Sequence, residues 1–202
     1  MNDHGENPAL TAYKRGMNNY VFLSGGYLEN SFLSKVEVYN VDKDQWSPCP
    51  DLKNPRECHA SCILGEKLYV SGGDNVGGDT IEVADCSKLL DGSATWEILN
   101  VRYKAYFHVF SPLTSHEILI MAKEDISIFE TRSCTIRKVG TVPFKLVCYN
   151  NQFGITKGMG EDNNVVALVT TDPKNDRLKA VRFTRKGVHS SIQEIKDFGT
   201  TK

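Results

Sequence analysis

The sequence predicts an all-β fold made of repeated four-stranded antiparallel sheets. Three observations predict it. A strand ending in two glycines occurs twice, short apolar segments alternate with polar residues at the period of a strand, and no long apolar stripe has helical spacing. In residues 35–39, for example, Val36 and Val38 alternate with Glu37. A chain of 202 residues is long enough for such a repeat array.

The repeat is clearest in the first half of the chain. Residues 20–26 (YVFLSGG) resemble residues 68–73 (LYVSGG), and Gly25 and Gly72 are 47 residues apart. Three further features recur at nearly this spacing: the Asn-Pro pairs at 7–8 and 54–55, the segments 36–39 and 81–84, and Trp46 and Trp96. Several independent features at one period indicate a structural repeat.

Two weaker copies follow. Residues 117–122 and 127–130 occupy the places of the second and third strands, and Phe129 and Ile136 replace the aromatic pair Tyr39 and Trp46 at the same seven-residue spacing. Residues 165–169 and 178–183 predict two more strands, joined by a turn at 172–176. We therefore expect one domain over 1–202, with clear repeats at about 7–55 and 56–100 and degenerate repeats at about 101–145 and 146–202.

Each repeat supplies about four strands, which in the second repeat fall at 58–64, 68–72, 80–85 and 95–99, and residues 87–92 suit one short turn of helix. A four-stranded sheet buries little alone, so repeated sheets pack face to face around an axis as a propeller. Glycines fit where the second strand turns sharply beside other backbone. The pattern resembles the kelch repeat, and the residues that carry the resemblance are Gly25, Gly26, Tyr39, Trp46, Pro55, Arg56, Gly72, Gly73 and Trp96.

The length raises a question about closure. Kelch propellers usually have five to seven blades, whereas 202 residues at this period give about four. Three arrangements remain open: a piece of a longer propeller, a closed ring of four blades, or assembly with another copy. An open arc would expose a blade face and strand edges. We favour missing blades in a longer chain.

Composition argues against several classes of protein. The 24 Lys and Arg residues balance 25 Asp and Glu, and no basic stripe typical of nucleic-acid binding is present. The first six residues lack the features of a signal peptide, and no apolar run is long enough to span a membrane. We expect a cytoplasmic protein whose six cysteines are thiols.

The sequence contains no convincing catalytic or metal site. Cys58, His59 and Cys62 resemble a metal cluster, but strand alternation separates His59 from the cysteines, and zinc requires four convergent ligands. The acidic loop at 74–79 lacks the ligand spacing of a calcium loop. The kelch family includes a copper oxidase with tyrosine and histidine ligands, and no such set is reproduced. We expect a non-enzyme without a cofactor.

The resemblance implies that the loops bind a protein or peptide partner, as in ubiquitin-ligase substrate adaptors or cytoskeletal adaptors. The first candidate loop carries Tyr27, Glu29, Asn30 and Phe32; the second carries Asp74, Asn75 and Asp79. Arg56 occupies the family's arginine position and suits a carboxylate-bearing peptide. The main alternative is an assembly protein without a peptide site, and an enzyme is the third.

Structural roles for the same residues remain open. Tyr27 and Phe32 could pack within their own loop, and Arg56 could pair with Glu57 or a neighbouring blade. Tyr39 and Trp46 are expected to pack between blades. On this basis the sequence predicts that Trp46→Ala destabilises the fold by a few kcal/mol, whereas Arg56→Ala leaves stability nearly unchanged.

Overall fold

The computed structural model describes residues 4–75, 77–105, 108–122 and 125–141, together with the backbone of four strands between 153 and 195. These residues form four antiparallel four-stranded sheets, which we call blades 1 to 4. The predicted all-β, kelch-type architecture of about four blades is confirmed.

Blade 1 contains β1 (Ala9–Arg15) and β2 (Asn18–Ser24). A small hairpin of β3 (Tyr27–Leu28) and β4 (Ser31–Phe32) follows, and the chain then returns to the sheet as β5 (Val36–Asn40) and β6 (Gln45–Cys49). The strand order β1-β2-β5-β6 is that of a simple meander with the hairpin inserted in its middle connection.

Blade 2 contains β7 (Ala60–Leu64), β8 (Lys67–Ser71), β9 (Thr80–Asp85) and, after helix α1 (Cys86–Asp91), β10 (Glu97–Arg102). The strands lie within about three residues of their predicted positions. The predicted turn of helix is also present. The Asp85 side chain accepts hydrogen bonds from its first backbone N–H groups, and Gly92 ends it with φ 79°.

Blade 3 contains β11 (Val109–Pro112), β12 (Glu117–Ala122), β13 (Asp125–Glu130) and β14 (Thr135–Thr141). Phe129 pairs with Ile136 across β13 and β14 just as Tyr39 pairs with Trp46 in blade 1, as the sequence predicts. Blade 4 contains β15 (Phe153–Lys157), β16 (Val165–Thr170), β17 (Leu178–Phe183) and β18 (Gln193–Ile195). The predicted turn at 172–176 lies outside the described residues.

The blades are arranged around their first strands. β1 contacts β7, β7 contacts β11, and β11 contacts β15, so the four first strands lie side by side and the later strands extend outward. This is the radial packing of a propeller. None of the helices in the described part of the chain is long and apolar enough to cross a membrane.

Apolar side chains fill the space between successive blades. We call the side of a blade that faces the next blade its trailing face, and the opposite side its leading face. The trailing face of blade 1, including Tyr13, Phe22 and Val38, packs against Leu68 and Trp96 on the leading face of blade 2. A second core between blades 2 and 3 contains Tyr69, Ile81, Val83, Phe110, Ile118 and Phe129.

The glycine pairs lie where the chain leading into the next blade crosses the end of the second strand. Gly25 has φ +60°, and a Cβ added to it would be 2.3 Å from the Arg56 carbonyl oxygen. Gly72 has φ +76°, and its added Cβ would be 2.2 Å from the Ala105 carbonyl oxygen. Both positions therefore exclude any side chain.

The structure corrects the alignment of the chain before the first strand. Through the pairing Ala9↔Ser24 in blade 1 and Ala60↔Ser71 in blade 2, Asn7 corresponds to Cys58 and not to Asn54. Asn7 and Cys58 also share a positive φ, 53° and 52°. The β1–β2 hairpin is longer than the β7–β8 hairpin. The offset of 47 residues that relates the glycine pairs therefore does not apply to the residues before the first strands.

Candidate functional site

One end of the blades collects the loops that the sequence suggested for binding. This loop face is formed by residues 4–8, the β2–β5 connection, residues 50–59, the β8–β9 connection and residues 103–105. Backbone hydrogen bonds join these segments, including Gly26 N–H to the Arg56 carbonyl (2.9 Å) and Gly73 N–H to the Ala105 carbonyl (2.8 Å). These hydrogen bonds hold the loops together at the ends of the strands, and loops held on such a scaffold commonly carry binding sites.

The β3–β4 hairpin presents an aromatic pair on this face. Glu29 and Asn30 form its two-residue turn with φ 48° and 62°, as a type I′ turn requires. The rings of Tyr27 and Phe32 pack edge to face with centroids 5.3 Å apart. Phe32 remains 38% exposed. The two rings therefore pack within their own loop and still offer apolar surface to solvent.

The chain before blade 1 anchors this hairpin. The Tyr27 N–H donates to the Glu6 carbonyl and the Glu6 N–H donates to the Tyr27 carbonyl, both at 2.8 Å. A Cβ on Gly5 would lie 2.0 Å from the Tyr27 carbonyl oxygen, so the two backbones are in close contact. This pairing fixes the position of the aromatic rings relative to blade 1.

The β8–β9 loop occupies the equivalent position in blade 2. Asp74 is exposed, and its N–H donates to the Glu57 carbonyl at 3.2 Å. Asp79 forms an ion pair with Arg102 at 3.0 Å on the surface. The side-chain oxygen of Asn75 is buried and has no hydrogen-bond partner among the described residues. Of the three predicted residues in this loop, Asp74 is the most available to a partner.

The structure contradicts the predicted role of Arg56 as a binding residue. Its side chain is completely buried, and its guanidinium donates to the Glu82 carboxylate (2.7 Å) and the Thr80 hydroxyl (2.7 Å). The other terminal nitrogen donates to the carbonyls of Gly72 (2.5 Å) and Thr80 (3.2 Å). Arg56 is thus not available to a peptide carboxylate. It pairs with a strand of its own blade, neither with Glu57 nor with a neighbouring blade.

The Glu82 carboxylate is bonded from a second side as well. It accepts hydrogen bonds from the backbone N–H groups of Lys53 (2.7 Å) and Asn54 (3.0 Å) and from the Asn54 side chain (3.0 Å). Glu37 holds the same place in blade 1, where its carboxylate lies 3.0 Å from His4 Nε2 and 3.4 Å from Lys35 Nζ. The buried glutamates tie the loop face to the sheets.

Because Arg56 is buried, the charged side chains that remain accessible on this part of the loop face are mainly carboxylates. Glu6 and Glu29 are exposed beside the aromatic hairpin, and Glu57 is half-buried next to Asp74. The Asn7 side-chain amide donates to Glu57 at 3.2 Å and links the two blades. Sequence reasoning missed Glu6 and Glu57 because both precede a strand and belong to no recognisable motif.

Two histidines are buried beneath the loop face. His59 Nε2 is hydrogen-bonded to the Ser24 hydroxyl at 3.0 Å, whereas neither ring nitrogen of His108 has a partner in the described part of the chain. Burial, with a smaller contribution from the positive charge of Arg56, lowers the pKa of both imidazoles to about 3. Both rings are therefore neutral at physiological pH.

The cysteines lie mainly inside the fold. The five described ones, Cys49, Cys58, Cys62, Cys86 and Cys134, are free thiols, as predicted; Cys148 lies outside the described residues. Burial raises the pKa of Cys49, Cys58 and Cys86 to about 12, which opposes a nucleophilic role. In the described part of the chain, Cys58, His59 and Cys62 do not converge with other side chains as a metal site.

Comparison with known proteins agrees with this geometry. The family model described as Kelch motif matches residues 16–53, which run from the β1–β2 turn to just beyond β6. Human Kelch-like protein 33 is 42% identical over 53 residues, covering 26% of this chain and 10% of the relative. Kelch-like protein 38 of Danio rerio is 29% identical over 96 residues, covering 46% of this chain and 16% of the relative.

The human Influenza virus NS1A-binding protein is 37% identical over 59 residues, covering 29% of this chain and 9% of that protein. The chain therefore spans only about a tenth of the length of several relatives that it matches. The fold is that of a kelch-type propeller in which four-stranded blades repeat along the chain. Residues 16–53 carry a kelch motif, and relatives named as Kelch-like proteins match parts of the chain.

Proposed function

We propose that this chain is a non-catalytic module that binds a protein partner through its loop face. The observation that carries the proposal is the β3–β4 hairpin, which holds Tyr27 and Phe32 together in partly exposed positions. Aromatic side chains on rigid loops are frequent anchors of protein interfaces. Relatives named as Kelch-like proteins support a protein partner, and a further relative is named as an Influenza virus NS1A-binding protein.

The chemistry of the loop face favours a partner segment that combines an apolar residue with positive charge. The apolar residue would pack on Phe32, and the charge would lie near the carboxylates of Glu6, Glu29 and Asp74. We propose an adaptor role in the cytoplasm, as in ubiquitin-ligase substrate recognition or cytoskeletal attachment. The candidate contacts are Tyr27, Glu29, Asn30, Phe32, Asp74, Asn75 and Asp79.

A matched pair of variants tests this function. Tyr27→Ser combined with Phe32→Ser removes the aromatic anchor. Met17→Ser is the control, because Met17 is 91% exposed in the β1–β2 turn at the opposite end of blade 1. Proteins cross-linked to the wild type in cell extract are identified by mass spectrometry, and each is purified and titrated against the wild type and both variants.

We expect Met17→Ser to bind like the wild type and the aromatic double variant to lose at least about 30-fold in affinity, the loss typical of a hot-spot side chain. Circular dichroism and the melting temperature confirm that the double variant is folded. Equal affinity of the double variant and the wild type for every purified partner would refute the loop-face proposal.

A further inference from the structure

The β8–β9 loop carries three candidate binding residues, but it is built differently from the corresponding connection of blade 1. In blade 1 that connection is the β3–β4 hairpin, which is held by its own strand pairing. In the described part of the β8–β9 loop, the Gly78 N–H donates to the Asn75 carbonyl at 3.0 Å. The Thr80 N–H donates to the Gly77 carbonyl at 2.9 Å. These are turn bonds without a strand ladder, so contacts with other segments are needed to fix the loop.

The Thr80 hydroxyl joins this loop to the buried ion pair. Thr80 is the first residue of β9 and is 3% exposed. Its hydroxyl donates to the Gly77 carbonyl at 2.6 Å and accepts from the Arg56 guanidinium at 2.7 Å. The same guanidinium nitrogen also donates to Glu82 at 2.7 Å. The hydroxyl therefore links the loop backbone to a charged pair that is inaccessible to solvent.

The segment before β7 holds the loop at two further points. The second terminal nitrogen of Arg56 donates to the Gly72 carbonyl at 2.5 Å, just before the loop begins. A Cβ added to Gly77 would lie 2.9 Å from the Asn54 side-chain oxygen, so the loop and this segment are in close contact. Because hydrogen bonds from a charged donor are stronger than neutral ones, Arg56 contributes most to this attachment.

Blade 1 does not use this arrangement. Strand register places Lys35 of blade 1 at the position of Thr80. Lys35 lies 3.4 Å from the Glu37 carboxylate and has no hydroxyl to offer a loop carbonyl. The hairpin of blade 1 is instead held by backbone bonds between Tyr27 and Glu6. Of these two blades, the hydroxyl is thus found in the one whose connection has no strand pairing of its own.

We propose that Thr80 is a positioning residue of the loop face. Its hydroxyl fixes the β8–β9 loop to the ion pair of Arg56 and Glu82, and this sets where the Asp74 carboxylate is presented. Thr80 is buried, so it acts on a partner through the loop and not by contact. The effect on binding rests on the proposed function, because a loop that is already ordered costs less to bind. The positioning itself is a property of the free protein.

The experiment measures amide hydrogen exchange by NMR in the wild type and three variants without a partner. Thr80→Val removes the hydroxyl and keeps both the shape of the side chain and the pair of Arg56 with Glu82. Thr80→Ser retains the hydroxyl. Thr131→Val is the matched control, because the Thr131 hydroxyl also donates to a backbone carbonyl, that of His116 in blade 3, at 2.9 Å. Melting temperatures establish that every variant is folded.

We expect the N–H groups of Asp74 and Gly78 to exchange roughly tenfold faster in Thr80→Val, because the loop opens more often without its hydrogen bonds to the hydroxyl. Thr80→Ser and Thr131→Val should keep the wild-type rates. The Leu33 N–H, which donates to a carbonyl of the blade 1 connection, is the internal reference and should not change. Unchanged loop exchange in Thr80→Val, or equally fast exchange in Thr80→Ser, would overturn the proposal.

Affinity for the partners purified above supplies the second readout. Thr80→Val should bind them about tenfold more weakly, whereas Thr80→Ser and Thr131→Val should bind like the wild type. If the aromatic double variant loses affinity while Thr80→Val does not, the loop-face function stands and the role of Thr80 in it is wrong. If neither variant loses affinity, the proposed function fails, and the exchange rates alone decide whether Thr80 positions the loop.

Discussion

The buried ion pair between Arg56 and Glu82 allows a sharp test of the structure. Both side chains are inaccessible to solvent, and the guanidinium makes four hydrogen bonds. Arg56→Ala leaves the Glu82 carboxylate buried without its counter-charge and removes the guanidinium donor from the carbonyls of Gly72 and Thr80, of which the Thr80 carbonyl still accepts from the Gly72 N–H at 3.4 Å. Breaking a buried pair from one side typically costs about 3–5 kcal/mol. Glu82 keeps three N–H donors from residues 53–54. We therefore expect Arg56→Ala to lower the free energy of unfolding by about 3–4 kcal/mol, the lower part of this range.

Arg102→Ala is the matched control. Arg102 lies in the same blade and also pairs with an acid, Asp79, but its side chain is 67% exposed and that of Asp79 is 43% exposed. Exposed pairs contribute about 0–1 kcal/mol. Unfolding of the three proteins is followed by intrinsic fluorescence against urea concentration and by thermal melting. For a chain of this size, about 3–4 kcal/mol corresponds to a loss of roughly 6–16 °C in melting temperature.

A second variant separates charge from packing. Glu82→Gln in the Arg56→Met background removes the stranded negative charge and keeps a side chain of similar length at each position. We expect the double variant to be more stable than Arg56→Met alone, because the cost arises mainly from the unpaired buried carboxylate. If Arg56→Ala were no less stable than Arg102→Ala, the burial of Arg56 would be wrong and its predicted role in peptide binding would be restored.

Two further predictions concern the histidines and the glycine pairs. Because burial lowers the pKa of His59 and His108 from 6.5 to about 3, the unfolded chain binds more protons between those values, and stability is lost as pH falls below 6.5. Between pH 7.5 and pH 5 the free energy of unfolding should fall by about 2 kcal/mol for each histidine. Urea titrations at both pH values should show this fall in the wild type and equally in His116→Gln. A free energy of unfolding that does not change with pH would contradict the prediction. Gly72→Ala should unfold the chain or lower its stability several times more than Gly65→Ala does, as measured by thermal melting. Both glycines have positive φ, but only Gly72 lacks space for a Cβ. Equal losses of stability would show that backbone conformation alone selects glycine at position 72.

The sequence predicted the fold well because strand alternation and the repeated glycine pairs are local signals. All four strands of blade 2 and the pairing of Phe129 with Ile136 follow from spacing alone. The lead-in to blade 1 did not align correctly because the β1–β2 hairpin is longer than the β7–β8 hairpin. A length difference of this kind is visible only when the strands are paired.

The burial of Arg56 was not predicted, because it depends on which strand residues lie opposite its side chain. The loop with Tyr27 and Phe32 was proposed because it joins the second and third strands, and such loops build the binding face in the kelch family. Arg56 was assigned to a partner because it occupies the kelch family's arginine position and its planar guanidinium suits a carboxylate. The missing signal was in the strands, where Glu37 and Glu82 occupy the same position between inward-facing β-branched residues, and a buried glutamate requires a nearby donor or cation.

Comparison of the three blades whose side chains are described supports the structural role of Arg56. The position of Glu82 is Glu37 in blade 1 and Ser127 in blade 3, and all three side chains are buried. In blade 1 the lead-in segment supplies His4 to the glutamate. In blade 3 the residue equivalent to Arg56 is Ala105, whose carbonyl accepts from Gly73 as the Arg56 carbonyl accepts from Gly26. In blades 1 and 2 the buried glutamate thus has a side chain from the lead-in segment within hydrogen-bond distance, whereas in blade 3 the serine faces a lead-in with alanine at the Arg56 position. This pattern is expected if Arg56 is there to pair with Glu82 and not to bind a ligand.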